Sequence, residues 1–163
     1  MTVQTLAADV LDGLLTVWRA DATLAAYGGR LRIHDGPPVD DRAPEIELWV
    51  GATGLEPEET VISGTQDFVT LGDAADDRDE TIEIQNAVWV YSTTGGTDHG
   101  IATTRRTALA AFSAAAAAIR GSNLGIAALD PAAQVVAWEL HQGEYVSGAG
   151  AVVSFTVRVT GQV

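Results

Sequence analysis

The chain has 163 residues, no cysteine and no lysine, and its 22 acidic residues against 9 arginines give a formal net charge of −13. This length suits one domain around one hydrophobic core, and the lack of cysteine excludes disulfides, thiolate metal ligands and cysteine nucleophiles. A negative charge of this size opposes binding to nucleic acid or to anionic lipid, because every phosphate meets a repulsive field.

The hydropathy pattern gives no sign of membrane insertion or export. The longest apolar stretch, the alanine run near residue 114, is far shorter than the roughly 20 residues of a membrane span, and the N-terminus lacks a basic segment followed by an apolar one. We therefore expect residues 1–163 to form a single domain that is made and kept in a cytoplasm.

The first predicted elements are helical. Over 4–19 the apolar residues follow helical spacing, and Thr2 or Thr5 is available as N-cap. The stripe consists of Leu6, Val10, Leu14 and Val17. A second, short helical turn, "ATLAAYGG", ends at Gly28 and Gly29, since glycine supplies the left-handed residue that terminates helices.

Two short strands and an irregular stretch follow. "RLRIHDGPP" and "EIELWVG" (45–51) have strand patterns bounded by turn residues, and we expect them to pair. Residues 52–81 are the least regular part of the chain, although "TVISGTQDFVTLG" could be β structure. We interpret 52–81 as a mobile excursion, a protruding hairpin or loop.

From Thr81 the alternation is strongly that of a strand. One side of the pleat carries Ile82, Ile84, Val88 and Val90, and the other carries Thr81, Glu83, Gln85, Trp89 and Tyr91. A strand with one such apolar face is expected near the centre of a sheet.

The C-terminal half predicts a helix and a β-hairpin. Residues 101–120 have helical periodicity, with Asp98 as a possible cap and an inner surface mostly of alanine, which allows close approach to a sheet. Two alternating runs then follow, joined by the glycine-rich "GEYVSGAG". Their aligned residues are Val136, Trp138 and Leu140 in the first, and Val153, Phe155, Val157 and Val159 in the second.

This order of elements predicts an α+β fold. We expect an antiparallel or mixed β-sheet with two main helices packed on one face, plus the protruding hairpin or loop.

No catalytic, metal or cofactor site is predicted. The acidic run Asp73, Asp76, Asp77, Asp79 and Glu80 lacks the glycine of a calcium loop, and is interpreted as a solvated negative surface. His34, His99 and His141 are too scattered for a zinc motif. The chain has neither a G-x-S-x-G nucleophile elbow nor the lysine of a phosphate-binding loop.

Trp49 and Trp89 are candidates for a subunit interface, with Tyr91 beside them. Both tryptophans fall on the strand faces opposite the aliphatic residues, and so short a chain offers little to cover that face. Because tryptophan is enriched at interfaces, we favour a subunit contact over peripheral packing within the chain.

Nearly the whole chain resembles the tail terminator, or tail completion, proteins of long-tailed bacteriophages. The resemblance is in the size and order of the segments "LAADVLDGLLTVWRA", "LRIHDGPP", "IELWVG", "TIEIQNAVWVYS", "IATTRRTALAAFSAAAAAIRG" and "VVSFTVRVTG". These proteins are recognised by element order and size, so no catalytic residue is carried over.

The resemblance implies a ring, commonly six-fold, on the end of a finished tail tube, which stops tube polymerisation and offers a surface for the head. Its partners would be copies of itself, the tail tube protein and a head-closure or neck protein. DNA would pass through the lumen without specific binding, and the acidic run could line that lumen. The same residues could equally serve a head-closure protein, and a small α+β enzyme or a ligand-binding module is the alternative of another class.

Overall fold

The structure, a computed structural model, describes residues 5–37, 45–55, 61–68, 78–92, 98–129, 132–145 and 148–163. Its helices are α1 (Ala7–Ala20), α2 (Ala22–Ala25) and α3 (Asp98–Ile119), with a 3₁₀ turn at Gly28–Arg30. Its strands are β1 (Leu31–Asp35), β2 (Ile46–Val50), β3 (Ile62–Phe68), β4 (Arg78–Ser92), β5 (Gln134–Tyr145) and β6 (Gly148–Gln162). None of the helices within these ranges is long and apolar enough to cross a membrane.

The strands form one mixed sheet in the order β1-β2-β4-β6-β5, with β3 also paired to β4. The predicted α+β fold is confirmed, and β4 is central as expected. The predicted pairing of the first two strands is also confirmed, and it is parallel, whereas the other pairings are antiparallel. Within the expected excursion 52–81, the stretch that could be β structure contains the regular strand β3, which pairs antiparallel with the first half of β4, from Arg78 to Ile84.

The beginnings of β1 and β2 are held together by an ion pair. Arg30, directly before β1, donates to both carboxylate oxygens of Glu45, directly before β2, at 2.7 and 2.6 Å. These hydrogen bonds, helped by the opposite charge, hold the pKa of Glu45 below its ordinary value. Because parallel strands start on the same side, the pair lies directly beside the first register position, where Leu31 is opposite Ile46.

A buried asparagine marks the point at which β2 leaves β4 and β3 takes its place. The Asn86 side chain is fully buried, donates to the Ile84 carbonyl at 2.9 Å and accepts from the Gly51 N–H at 3.2 Å. Gly51 has a φ of +68°, a conformation that glycine adopts without strain. The asparagine therefore fixes the turn that follows β2.

The core lies between one face of the sheet and the two long helices. Trp18 of α1 is fully buried, its indole N–H donates to the Ala115 carbonyl of α3 at 2.9 Å, and its ring meets Phe155 of β6 edge-on at 6.0 Å. Ala108 and Ala115 of α3 are also fully buried. The small alanine side chains bring α3 close to β4 and β6, as the sequence predicts.

A carboxyl group from β4 anchors the start of α1. Glu80 is 4% exposed, and it accepts hydrogen bonds from the Leu6 N–H at 2.7 Å, the Thr5 hydroxyl at 2.8 Å and the Gln66 amide at 3.1 Å. A negative group at a helix N-terminus is stabilising, because the first N–H groups of a helix have no partner within it. The Thr5 hydroxyl also accepts from the Ala7 N–H at 3.2 Å, although Leu6 holds the N-cap position. The start of α1 is therefore held both by the predicted threonine and by a tertiary contact with a residue 74 positions away in sequence.

We expect Glu80→Ala to lower the free energy of unfolding by about 1.5–3 kcal/mol, the range for hydrogen bonds to charged groups. Glu83→Ala is the matched control on the same strand, because Glu83 pairs with the exposed Arg158 at 2.8 Å on the opposite face. An exposed ion pair of this kind contributes about 0–1 kcal/mol. Urea denaturation measures both losses, and equal losses would contradict the anchoring role of Glu80.

Candidate functional site

The face of the sheet opposite the helices carries three aromatic side chains in a row, the aromatic stack of Trp49, Trp89 and Tyr91. The ring centroids of Trp49 and Trp89 are 5.0 Å apart at 25°, and those of Trp89 and Tyr91 are 6.1 Å apart at 12°. The two tryptophans are half-buried and Tyr91 is 39% exposed. The predicted position of both tryptophans opposite the aliphatic residues is confirmed.

The turn at 51–55 partly covers this stack, which the sequence analysis did not foresee. The Thr53 carbonyl accepts a hydrogen bond from the Trp89 indole N–H at 3.0 Å. Gly54, with a φ of +67°, lies so close to Trp49 that an added Cβ would stand 2.5 Å from the ring. This turn therefore fixes the orientation of both indoles before any partner binds.

A buried carboxyl group lies beneath the stack. Glu47 is 3% exposed, and its Oε2 accepts from the Trp49 indole N–H at 2.9 Å. Its Oε1 lies 3.9 Å from His34 Nε2, and neither of these buried atoms has a hydrogen-bond partner among the residues that the structure describes. The hydrogen bond to Glu47 therefore orients the Trp49 indole.

A shallow groove of about 380 Å³ lies between the end of this turn and the edge strand β5. Leu55 borders it, and the lining from the open face of the sheet includes Gln85, Ser154, Thr156, Glu139 and His141. His141 Nε2 lies 3.4 Å from Glu139 Oε2, and both side chains are exposed to solvent. The aromatic stack and the groove together make up the open face of the sheet.

The structure does not bring the histidines together. His34 is on β1 and His141 on β5, at opposite edges of the sheet, which places them about 19 Å apart at about 4.8 Å per strand. His99 is in the first turn of α3, and its side chain lies outside the described residues. Over the ranges that the structure describes, no group of three or more His, Asp or Glu side chains is arranged to hold a metal ion.

The fold is similar to that of a chain in a solved virion particle. Over 99% of its length the protein superposes on the whole of a chain in the solved "Virion of native gene transfer agent (GTA) particle", with a TM-score of 0.58 and 16% sequence identity. No family model matches the sequence, and no curated protein does. At this identity the likeness establishes the architecture of the domain.

The acidic run is only partly described. Asp73, Asp76 and Asp77 lie outside the described residues, and Asp79 is exposed on β4. The prediction of a solvent-facing carboxylate is wrong for Glu80, which faces the helices and holds the start of α1. The reason is the alternation of β4, which places Glu80 on the same side as Ile82 and Ile84.

Trp138 is the most exposed tryptophan in the described part of the chain, and the sequence analysis missed it. It lies on the edge strand β5 with 54% exposure, and its ring is 5.8 Å from that of Phe112 on α3. Its expected neighbour Val136 is 40% exposed, at a register shift between Val135 and Ala137. The apolar alternation of this run predicted which side chains face the helices. It did not predict that β5 is an edge strand, where such side chains are left partly exposed.

Proposed function

We propose that the protein is a structural component of a phage-like virion and carries out no catalysis. The observation that supports this proposal most is the likeness of the whole domain to a chain of a gene transfer agent virion. The open face of the sheet agrees with it, since that face presents fixed aromatic side chains rather than convergent acid–base groups. The protein would then be part of the particle, after assembly in the host cytoplasm.

Within the particle, the proposed place is the head-proximal end of the tail. In this proposal, six copies form a closed ring on the finished tail tube. The ring stops polymerisation of the tube and provides the surface to which a head-closure protein binds. A closed ring requires two different surfaces that meet head to tail. The aromatic stack is proposed as one of these surfaces, because half-buried tryptophans held in a fixed orientation lose little entropy on association.

The tail-length phenotype tests this proposal. Deleting the gene should give tails of uncontrolled length that lack heads, and resupplying the protein should restore both. Tails of normal length in the deletion would eliminate the terminator role. Filled heads without tails would instead assign the protein to head closure, the alternative that the same fold allows.

The aspartates of the acidic run are proposed to face the lumen, with Asp79 as the described and exposed one among them. A negative lining would keep DNA from adhering, since the duplex carries about one charge per 1.7 Å of its axis. Replacing Asp76, Asp77 and Asp79 by asparagine should leave folding intact and slow DNA delivery to recipient cells. Unchanged delivery would contradict the lumen assignment without affecting the ring itself.

A small enzyme or a ligand-binding module makes different predictions. An enzyme would need at least one of His34, His99 and His141 for activity, so full assembly after substitution of all three would argue against that class. A ligand-binding module would bind a small molecule saturably on the open face, and would not form rings on tubes.

A further inference from the structure

The outer face of α3 is basic in a protein that is otherwise strongly acidic. From His99 to Leu129 the sequence has three arginines and no Asp or Glu, although the whole chain has a net charge of −13. Arg106 and Arg120 are exposed. Neither is within hydrogen-bond or ion-pair distance of any described residue, and Arg105 contacts only the Gln142 amide, at 3.3 Å. The other described arginines, Arg19, Arg30, Arg32, Arg78 and Arg158, each have a polar partner.

These unpaired guanidinium groups lie along one line of the helix. The exposed positions of α3 and the residue after it recur every three or four residues, which is one face of an α-helix. They are Thr103, Arg106, Ala110, Ser113, Ala117 and Arg120. Arg106 and Arg120 are therefore about 21 Å apart, at about 1.5 Å per residue. The side chains between them are small enough to let a second helix approach closely.

Helix α1 has a face of opposite charge and the same spacing. Its exposed residues include Asp9, Asp12, Thr16 and Arg19, again separated by three or four positions. Neither aspartate side chain has a hydrogen-bond or ion-pair partner among the described residues. Both carboxylates are near the N-terminus of α1, and Arg19 already donates to the Ile33 carbonyl at 3.3 Å.

We propose that α3 of one copy packs antiparallel against α1 of a second copy, with Arg120 facing Asp9 and Asp12. In this orientation the helix dipoles oppose each other favourably, and Arg19 falls opposite Ala110 and Ser113 rather than opposite another arginine. The net negative charge of the chain disfavours nucleic acid as the occupant, because phosphates are repelled before they reach α3. Because the copies carry net charge of the same sign and repel one another overall, the few opposite-charge pairs determine how α3 of one copy aligns with α1 of the other.

This contact is separate from the open face of the sheet, because both helices lie on the opposite side. It draws on the proposed function only in requiring that copies associate. If the crosslinks form but gene deletion leaves tail length unchanged, the helix contact is supported and the terminator role is excluded. If rings form on tubes but these crosslinks do not, the terminator role is supported and the helix contact is excluded.

The absence of cysteine allows a direct test by engineered disulfides. In the double variant Thr16→Cys/Ser113→Cys, mild oxidation at low salt should link two or more chains, and the reduced sample should run as one chain. The double variant Thr65→Cys/Ser113→Cys is the matched control, because Thr65 is equally exposed but lies on β3, away from both helices. The α1–α3 pair should give at least about tenfold more linked chains than the control, since the opposite charges on the two helices favour this encounter over others.

Charge reversal provides the second measurement. Adding Arg120→Glu to the α1–α3 pair should reduce linked chains about tenfold, and adding Asp9→Arg/Asp12→Arg as well should restore them. The proposal would be overturned if the Thr65→Cys/Ser113→Cys control gave as many linked chains as the α1–α3 pair. It would also be overturned if charge reversal left the number of linked chains unchanged. A loss of DNA binding on reversal, with linking unchanged, would also overturn it and assign the basic face to nucleic acid.

Discussion

Trp18→Ala should lower the free energy of unfolding by about 3–5 kcal/mol, the range for removing a large buried aromatic side chain. Trp18 is fully buried where α1, α3 and β6 meet, and it links the two helices through its hydrogen bond to the Ala115 carbonyl. Substitution leaves a cavity beside Phe155 that the surrounding backbone cannot fill. Chemical denaturation measures the loss as a lower midpoint with an unchanged slope.

Trp138→Ala is the matched control for this prediction. Trp138 is 54% exposed at the sheet edge and has a ring contact with Phe112 at 5.8 Å. We expect a loss of about 1 kcal/mol or less, the contribution of one aromatic pair on the surface. Similar losses for the two variants would contradict the assignment of Trp18 to the centre of the core.

Trp89→Ala should weaken self-association at least about 30-fold, which corresponds to the roughly 2 kcal/mol lost at an interface hot spot. Trp89 is the middle ring of the aromatic stack, so its removal takes away both ring contacts and the hydrogen bond to the Thr53 carbonyl. Sedimentation velocity of the free chain and pelleting with tail tubes measure the effect. Circular dichroism checks that the variant is folded.

Trp138→Ala serves as the control here as well, since it removes an exposed tryptophan whose ring contacts Phe112 of α3 and not the aromatic stack. It should associate like the unaltered protein. Association of Trp89→Ala at wild-type strength would show that the open face is not a subunit contact, and would leave the stack with a structural role only.

The sequence predicted the main elements because their apolar periodicities are long and regular. The alternation from Thr81 to Tyr91 identified the central strand and assigned each side chain to a face, which correctly placed Trp89 opposite the aliphatic residues. The alanine-rich helix likewise predicted close packing of α3 on the sheet. These features depend on local pattern alone, so one sequence is enough to read them.

What the sequence could not show depends on contacts between distant residues. The sequence offered β structure for the stretch that contains β3 but not its pairing with β4, because its residues are mostly polar on both faces and such a strand has no apolar alternation. Glu80 belonged by composition to the acidic run, and only the fold shows that it meets the Leu6 N–H. The cover over Trp49 likewise depends on the left-handed φ of Gly54, +67°.

The candidate site was accordingly predicted in part. The positions of Trp49, Trp89 and Tyr91 followed from strand phase, whereas the buried Glu47 beneath them did not. A glutamate two residues before a tryptophan in a strand is an ordinary surface pattern. Its burial results from neighbours on β1 and β4, opposite Arg32 and Trp89 in register, which no local signal reveals.

Electron microscopy of the purified protein mixed with tail tubes tests the central claim most directly, namely that copies of this chain associate with one another and close the end of a tube. The account predicts a ring-shaped cap on one end of each tube, and no further growth when free tube subunits are added. Uncapped tubes that continue to elongate at saturating protein, with the chain remaining monomeric in their presence, would contradict it.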